Sequence, residues 1–381
     1  MPSVQKTLVK DASGAMGDIG TLIPLGLGAI GLAGLAPIPV LLGFAAFYIA
    51  TGLYYRLPIP VQPMKAVAAL LLTSEVTSQS LVASGVAIGI ILLVLGLTGW
   101  INSAARLIPR SVLSGLQLGL GLMLASMSMG LMATSVPLGV MTLGVLGITL
   151  KMLPNWPAAL IGLGGAVAIG TLLGAPGLTL PVENSVVLSL PELPGIDDWQ
   201  QATSMLVLPQ LALTLTNAIV LTALVVGDYY GEQSRRVSPA RLSVSTGLAN
   251  LLMVPFGAMP MCHGAGGVAA HHRFGARTGM APVLLGIALL LVAFIPGGLS
   301  VIAAIPMAGL GALLFLTAVE LALSRRLWSA KPSCWPVIAT TALVTVWADP
   351  FFGLLAGVVT ETVRAAWVRG RGTQSEEPTD A

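Results

Sequence analysis

The chain has 381 residues, of which 55% are hydrophobic and 9% are charged, and its mean hydropathy is +0.91. These values lie outside the range of soluble domains and predict an all-α polytopic membrane protein. Spanning helices need about 20 apolar residues each, so the chain has room for about a dozen spans and no large soluble domain. The net charge of +3 does not indicate a nucleic-acid partner, because the basic residues punctuate apolar segments.

Two features of the termini and the cysteines limit the possible chemistry. The first twelve residues are too polar and too short for a cleavable signal peptide, and we interpret them as a cytoplasmic tail. The cysteines, Cys262 and Cys334, lack metal-ligand spacing and form no disulfide framework, so both are predicted to be free thiols. No metal and no other cofactor is predicted.

Apolar segments divide into seven before and seven after a polar linker at 174–201. The first seven are 14–31, 39–55, 61–72, 81–100, 111–129, 136–150 and 158–173, and the second seven are 205–226, 242–254, 255–271, 281–294, 300–321, 335–347 and 351–367. With a cytoplasmic N-terminus, the basic residues between segments fall on the inner side, as the positive-inside rule expects. The linker, which holds acidic residues and no base, then lies outside. Only Lys65 remains within a membrane segment, and both termini are cytoplasmic in this multi-pass inner-membrane topology.

The two sets of seven segments match in order. Gln-Pro-Met at 62–64 in the third segment corresponds to Met-Pro-Met at 259–261 in the tenth, and small residues follow both motifs. A further proline follows each motif at the same distance, Pro109 before the fifth segment and Pro306 in the twelfth. Because seven is odd, the second set enters the membrane from the opposite side, which predicts inverted repeats. The predicted units are 1–173, the extracytoplasmic linker 174–201, 202–367 and a cytoplasmic tail at 368–381.

The prolines of the two motifs predict discontinuous third and tenth segments. Backbone groups freed in hydrocarbon must be buried in protein or line a wet cavity. An extended stretch followed by a half-helix meets this need, and two facing half-helix N-termini form an anion site. We expect Cys262 and His263 to begin the second half-helix, and the glycines after them to admit an oxyanion. The alternative is that these small residues only permit tight packing. The predicted binding residues are Gln62, Met64, Lys65, Ala66, Cys262, His263, Gly264, Ala265 and Gly266.

Several polar residues near the breaks have more than one predicted role. The Lys65 ammonium can complement a doubly charged anion, or it can reach the interface or pair with Asp18. His263 can bind the ligand, relay protons or cap a neighbouring carbonyl. Asp18 can carry a co-transported proton or satisfy N–H groups at the break. Under the repeat, the counterparts of Asp18 in the eighth segment are Thr216 and Asn217.

These motifs resemble the signature segments of the molybdate transporter family, relatives of the SulP sulfate permeases. The similar segments are 60–65, 257–267 and 273–279, and the stretches 17–24 and 108–115 fit the same group. The resemblance implies two inverted seven-segment repeats, with elevator-like movement of a core domain against a gate domain. Few residues follow Trp367, so the C-terminal STAS domain of SulP proteins is expected to be absent. The implied core comprises 13–100 and 205–294, and the implied gate comprises 106–173 and 300–367.

The predicted function is secondary transport of a tetrahedral oxyanion, molybdate or sulfate, with protons as the candidate coupling ion. Alternatives are a nucleobase permease of the same fold and an uncoupled anion channel. A nucleobase site needs buried carboxylates or amides, and no Asp or Glu lies between Glu232 and Glu320, which favours anions. Zinc-protease and serine-hydrolase motifs are absent from the sequence, so no enzyme is predicted. The lipid bilayer is the surrounding partner, and a homodimer is an open alternative to a monomer.

Overall fold

The computed structural model describes residues 4–106, 109–153, 158–177, 193–323, 325–348 and 350–374, and these are mostly helical. The first half contains α1 (Val4–Ala15), α2 (Ile19–Gly31), α3 (Pro37–Tyr55), α4 (Lys65–Thr73), α5 (Ser78–Thr98), α6 (Ile101–Arg106), α7 (Arg110–Met132), α8 (Val136–Met152) and α9 (Ala158–Leu173). The second half contains α10 (Ile196–Gln201), α11 (Leu208–Leu213), α12 (Thr222–Tyr230), α13 (Pro239–Met253), α14 (Ala265–Arg273), α15 (Met280–Phe294), α16 (Gly298–Ala303), α17 (Met307–Ala322), α18 (Arg325–Trp328), α19 (Trp335–Trp347) and α20 (Pro350–Gln374). Each predicted apolar segment overlaps at least one of these helices.

Apolar helices of membrane-spanning length occur in both halves. Four continuous helical stretches within the described residues are long and apolar enough to cross a bilayer: Pro37–Tyr55, Ser78–Thr98, Arg110–Met152 and Ile196–Arg236. Shorter apolar helices accompany them, among them Ala158–Leu173 and Met280–Phe294. Large apolar side chains such as Leu97, Leu172 and Trp347 are exposed. This exposure fits helices that face lipid rather than water.

The N-terminal segment differs from its interpretation as a tail. It forms α1, which packs against α15. The carboxylate of Asp11 is buried and accepts the backbone N–H groups of Arg277 at 2.8 Å and Thr278 at 3.0 Å. The polar residues that suggested a cytoplasmic tail thus include an acid that joins α1 to the turn before α15.

The linker and the C-terminal tail are described only in part. Residues 178–192 of the linker and 375–381 of the tail lie outside the described residues. At the described end of the linker, Asp198 accepts hydrogen bonds from the Thr77 hydroxyl at 2.7 Å and the Gly195 N–H at 2.9 Å. The linker is therefore joined to the turn that precedes α5.

The eighth segment is longer and less regular than the predicted 205–226. One continuous helix covers Ile196–Arg236, with π-helical turns at Ala202–Val207 and Thr214–Leu221 on either side of α11. Pro209 has no backbone N–H and its ring crowds the preceding turn. A π-helical turn accommodates such an interruption and is frequent at functional sites.

The helices pack in pairs that join the two halves of the chain. α3 packs against α15, α5 packs against α13, and α7 packs against both α17 and α19. Glycines permit these close approaches. A Cβ at Gly115 of α7 would lie 2.7 Å from the Ile338 carbonyl oxygen of α19. Small residues at helix contacts are the usual means of close packing within membranes.

The two proline motifs meet as a pair of short strands. β1 (Gln62–Pro63) runs antiparallel to β2 (Met261–Cys262), with Gln62 opposite Cys262 and Pro63 opposite Met261. Each strand leads into a nine-residue half-helix, α4 or α14. The second half-helix begins at Ala265, later than the predicted start at Cys262, because Cys262 is engaged in the strand pair. The predicted extended stretch followed by a half-helix is thus present in both segments.

Candidate functional site

A small cavity lies where the two half-helices begin. Its volume is about 20 Å³, and side chains from both halves line it: Gln62, Lys65, Gln117, Gln210, Leu213, Asn217, Ala218, Cys262 and His263. A cavity of this size holds about one water molecule. A polyatomic anion can therefore bind here only if some of the lining side chains move.

Lys65 contributes an unpaired positive charge to this cavity. It is the first residue of α4, and its side chain is half-buried. Among the described residues, the carboxylates that form ion pairs do so with other bases, so the Lys65 ammonium has no ion-pair partner. The alternative of a pair with Asp18 is not observed, because His271 contacts that carboxylate. The charge adds to the positive end of α4.

Asp18 accepts hydrogen bonds from several residues at the break in the third segment, outside the cavity lining. Its carboxylate is fully buried and accepts hydrogen bonds from the Tyr48 hydroxyl at 2.8 Å and the Val61 N–H at 3.1 Å. The side-chain amide of Gln62 donates to it at 2.7 Å, and Nε2 of His271 lies 3.2 Å away. A buried carboxylate needs such donors. Since Asp18 does not line the cavity, its geometry fits support of the site rather than contact with a ligand.

The glycines of the second half-helix differ in what surrounds them. A Cβ at Gly267 would lie 2.5 Å from Oδ1 of Asp18, and a Cβ at Gly264 would collide with the amide of Gln62. A Cβ at Gly266 would meet nothing within 4 Å. Two of the three glycines expected to admit an oxyanion therefore permit close packing of α14 against β1, and Gly266 alone faces open space.

His263 uses both ring nitrogens in hydrogen bonds. Nδ1 lies 2.9 Å from the Pro60 carbonyl oxygen, and Nε2 lies 2.9 Å from the Ser245 hydroxyl. A proton on Nδ1 allows the ring to donate to the carbonyl and to accept from Ser245. Of the three predicted roles, carbonyl capping matches this geometry, while the ring also lines the cavity.

Gln210 caps the first half-helix, a role that the sequence alone does not predict. Its Oε1 accepts the backbone N–H of Ala66 at 2.9 Å and that of Val67 at 3.4 Å. Its Nε2 donates to the Thr214 hydroxyl at 2.8 Å, and the side chain is buried. The amide oxygen thus occupies the end of α4, where an anion oxygen would otherwise accept these N–H groups.

Two further amides complete the cavity wall. Gln117 of α7 is buried, and its Oε1 has no hydrogen-bond partner within the described residues. Asn217 also lines the cavity, whereas Thr216 faces a larger cavity and donates to the Ala212 carbonyl at 2.8 Å. The signal that could have identified Gln117 and Gln210 is an isolated amide within an apolar segment.

The other predicted binding residues contribute backbone rather than side chains. The N–H of Met64 donates to the Pro260 carbonyl at 3.0 Å, and the N–H of Ala66 is taken by Gln210. Gly264 is the N-cap of α14 and Ala265 is its first residue. The predicted residues are therefore adjacent in space, but the first half-helix already has an internal acceptor at its end.

A second, larger cavity of about 870 Å³ lies along the same helices. It is lined by Arg110, Ser111 and Ser114 of α7, by Thr216, Val220 and Leu221 of the eighth segment, and by Lys331 and Cys334, among others. Ser114 is one helical turn from Gln117, and Thr216 is adjacent to Asn217. The residues that line the two cavities are therefore neighbours on the same helices, and cationic side chains line the larger cavity.

Similarity to known proteins agrees with this architecture. The family profile described as "Molybdate transporter of MFS superfamily" matches residues 10–124 and 202–321. The chain belongs to this family. Molybdate transporter 1 of Arabidopsis thaliana is 30% identical, over 97% of this chain and 90% of that protein. Molybdate transporter 2 of the same plant is 28% identical, over 93% of this chain and 87% of that protein. Since members of the molybdate transporter family are named as transporters, the predictions of a membrane transporter and of no enzyme are confirmed.

Solved structures share the fold at low sequence identity. The transmembrane domain of a cyanobacterium bicarbonate transporter, BicA, matches with a TM-score of 0.68 and 18% identity, over 94% of this chain and 98% of that chain. SLC26A9 matches with a TM-score of 0.70 and 12% identity, over 96% of this chain and 66% of that chain. These likenesses concern the fold alone. They confirm the predicted all-α polytopic class for this molybdate transporter family member.

Proposed function

We propose that this protein is a secondary transporter of a tetrahedral oxyanion, molybdate or sulfate, in the cytoplasmic membrane. The observation that carries the proposal is one cavity lined by Lys65, the first residue of α4, and by Cys262 and His263, which precede α14. Among the described residues, Lys65 has no ion-pair partner. Two half-helix N-termini and an ammonium together suit a doubly charged anion. Membership of the molybdate transporter family supports this substrate class.

Transport is proposed to occur by movement of a core (13–100 and 205–294) against a gate (106–173 and 300–367). Helix packing supports this division, because α3 and α5 pack with α15 and α13, whereas α7 packs with α17 and α19. The small cavity lies between Lys65 and Gln210 of the core and Gln117 of the gate. Relative movement would enlarge it, and the larger cavity would connect it to the cytoplasm.

Coupling to protons is part of the proposal. A dianion entering against a negative-inside potential costs about 2.3 kcal/mol per charge per 100 mV, so import needs a co-transported cation. Asp18 and His271 form a buried titratable pair directly behind the cavity. Their position supports Asp18 as the candidate carrier of the proton.

Uptake into proteoliposomes tests the proposal. We expect saturable molybdate uptake that sulfate and tungstate inhibit and that an inward proton gradient increases. Amides of Gln62, Gln117 and Gln210 also suit hydrogen bonding to a nucleobase ring, so uracil is the decisive competitor. Uracil uptake that molybdate does not affect would show that the substrate is a nucleobase and not an oxyanion. Molybdate flux that ignores the proton gradient would leave the anion site but remove the proton coupling.

A further inference from the structure

The first turn of α4 has a hydrogen-bond acceptor that belongs to the protein itself. The N–H of Ala68 bonds to the Met64 carbonyl at 2.7 Å within the helix. The N–H groups of Ala66 and Val67 precede it, and Oε1 of Gln210 accepts both. Free N–H groups at a helix start are the ones that bind anions. Gln210 therefore takes up the backbone donors that the proposed anion site offers in this half-helix.

Two polar groups that line the cavity near Gln210 are unpaired among the described residues. Gln117 is 7% exposed, lines the same cavity, and has an Oε1 without a hydrogen-bond partner in the described chain. Lys65 lines it with an ammonium that has no ion-pair partner there. Buried polar groups are rarely left unsatisfied. The Lys65 ammonium would gain a partner if an anion entered, whereas the Gln117 Oε1 is itself an acceptor and would need a donor.

The backbone that carries Gln210 suits a side chain that changes position. α11 lies between two π-helical turns, and the amide nitrogen of Gln210 is held by Thr214, the first residue of the second turn. π-helical turns interrupt the regular hydrogen-bond ladder. A shift of this segment, or a rotation about the Gln210 side chain, would release the N–H groups of α4 without unfolding a regular helix.

We propose that the Gln210 amide is an internal competitor of the transported oxyanion. It satisfies Ala66 N–H and Val67 N–H while the site is empty, and it yields them to anion oxygens when substrate binds. Hydrogen bonds to a charged acceptor are stronger than those to a neutral amide, so a dianion displaces Gln210 and a weakly accepting solute does not. The inference rests on the proposed function, because it assigns the anion to the end of α4.

Two substitutions at this residue should change affinity in opposite directions. The full-length protein in lipid nanodiscs is titrated with sodium molybdate. Gln210→Ala removes the competitor, so the dissociation constant should fall about fivefold, the equivalent of one net hydrogen bond. Gln210→Glu provides a charged and stronger competitor, so the dissociation constant should rise at least about tenfold. Thr214→Val loosens the amide without removing it and should tighten binding by less than Gln210→Ala.

A matched truncation and a ligand-free measurement complete the test. Gln117→Ala removes an amide from the same cavity that caps no N–H, so it should not tighten binding. Hydrogen exchange without ligand should be faster at Ala66 and Val67 in Gln210→Ala than in the wild type. Weaker binding in both Gln210 variants would overturn the inference and leave the transporter proposal intact. If the wild type and all variants bind neither molybdate nor sulfate, the proposed function fails and the inference fails with it.

Discussion

At the scale of single residues, the two charged groups near the break have different surroundings. Asp18 is fully buried and hydrogen-bonded to several donors, so its charge is already compensated within the protein. Lys65 has no such compensation among the described residues. An unpaired charge within a membrane protein is costly, and it persists where function requires it. The ammonium of Lys65 is therefore the charge that a ligand best explains.

Neutralising Lys65 should weaken anion binding without unfolding the protein. A hydrogen bond to a charged group contributes about 1.5–3 kcal/mol, so Lys65→Gln should raise the molybdate dissociation constant by about 10- to 100-fold. Lys65→Arg keeps the positive charge and should retain most of the affinity. Titration in nanodiscs gives the affinities, and thermal unfolding checks that the fold is unchanged. Equal affinity in the wild type and Lys65→Gln would place the anion away from this ammonium.

At the scale of elements, the half-helices depend on how closely α14 approaches the strand before α4. Gly267 lies against Asp18, Pro60 and Gln62, whereas Gly266, its neighbour in the same helix, faces open space. One residue therefore separates a position of α14 that packs against the break from a position that faces open space. Substitutions at the two positions can distinguish the effect of packing on stability from the effect of helix propensity.

Alanine substitutions at these neighbouring glycines should differ in their effect on stability. Gly267→Ala would place a Cβ 2.5 Å from Oδ1 of Asp18 and 2.6 Å from Nε2 of Gln62, so we expect destabilisation by about 1–3 kcal/mol. Gly266→Ala introduces no contact and replaces a poor helix former, so its stability should be equal or up to about 1 kcal/mol higher. Thermal unfolding in nanodiscs measures both. A stable Gly267→Ala would show that α14 can move away from β1.

The breaks were predictable from sequence because proline and glycine act locally. The motifs at 62–64 and 259–261 indicate extended backbone followed by a helix, and the structure has this arrangement in both places. The residues that hydrogen-bond to Asp18 and to the start of α4 were harder to predict. His271 and Gln210 reach Asp18 and α4 through contacts between segments far apart in the chain. Such pairings depend on how helices pack, which a single sequence does not specify.

At the scale of the whole molecule, the two cavities differ in charge and in the thiol that lines them. Arg110, Lys331 and Cys334 line the larger cavity, and Cys262 lines the smaller one. Cationic side chains in a cavity raise the local concentration of anions. The larger cavity thus has a partly exposed native thiol, and the smaller one has a buried thiol.

These two thiols allow the side of the membrane that the larger cavity faces to be tested without introduced cysteines. If the basic side of the protein is cytoplasmic, as the positive-inside rule predicts, a membrane-impermeant thiol reagent should modify Cys334 in inside-out vesicles but not in right-side-out vesicles. Cys262 is 5% exposed and should remain unmodified in both. A negatively charged reagent should react faster than a positively charged one of the same size, because Arg110 and Lys331 line the same cavity. Mass spectrometry identifies the modified residue, and Cys334→Ser is the matched control that should abolish labelling. Modification of Cys334 from the outer face alone would invert the proposed topology, and with it the assignment of the larger cavity as the route to the cytoplasm.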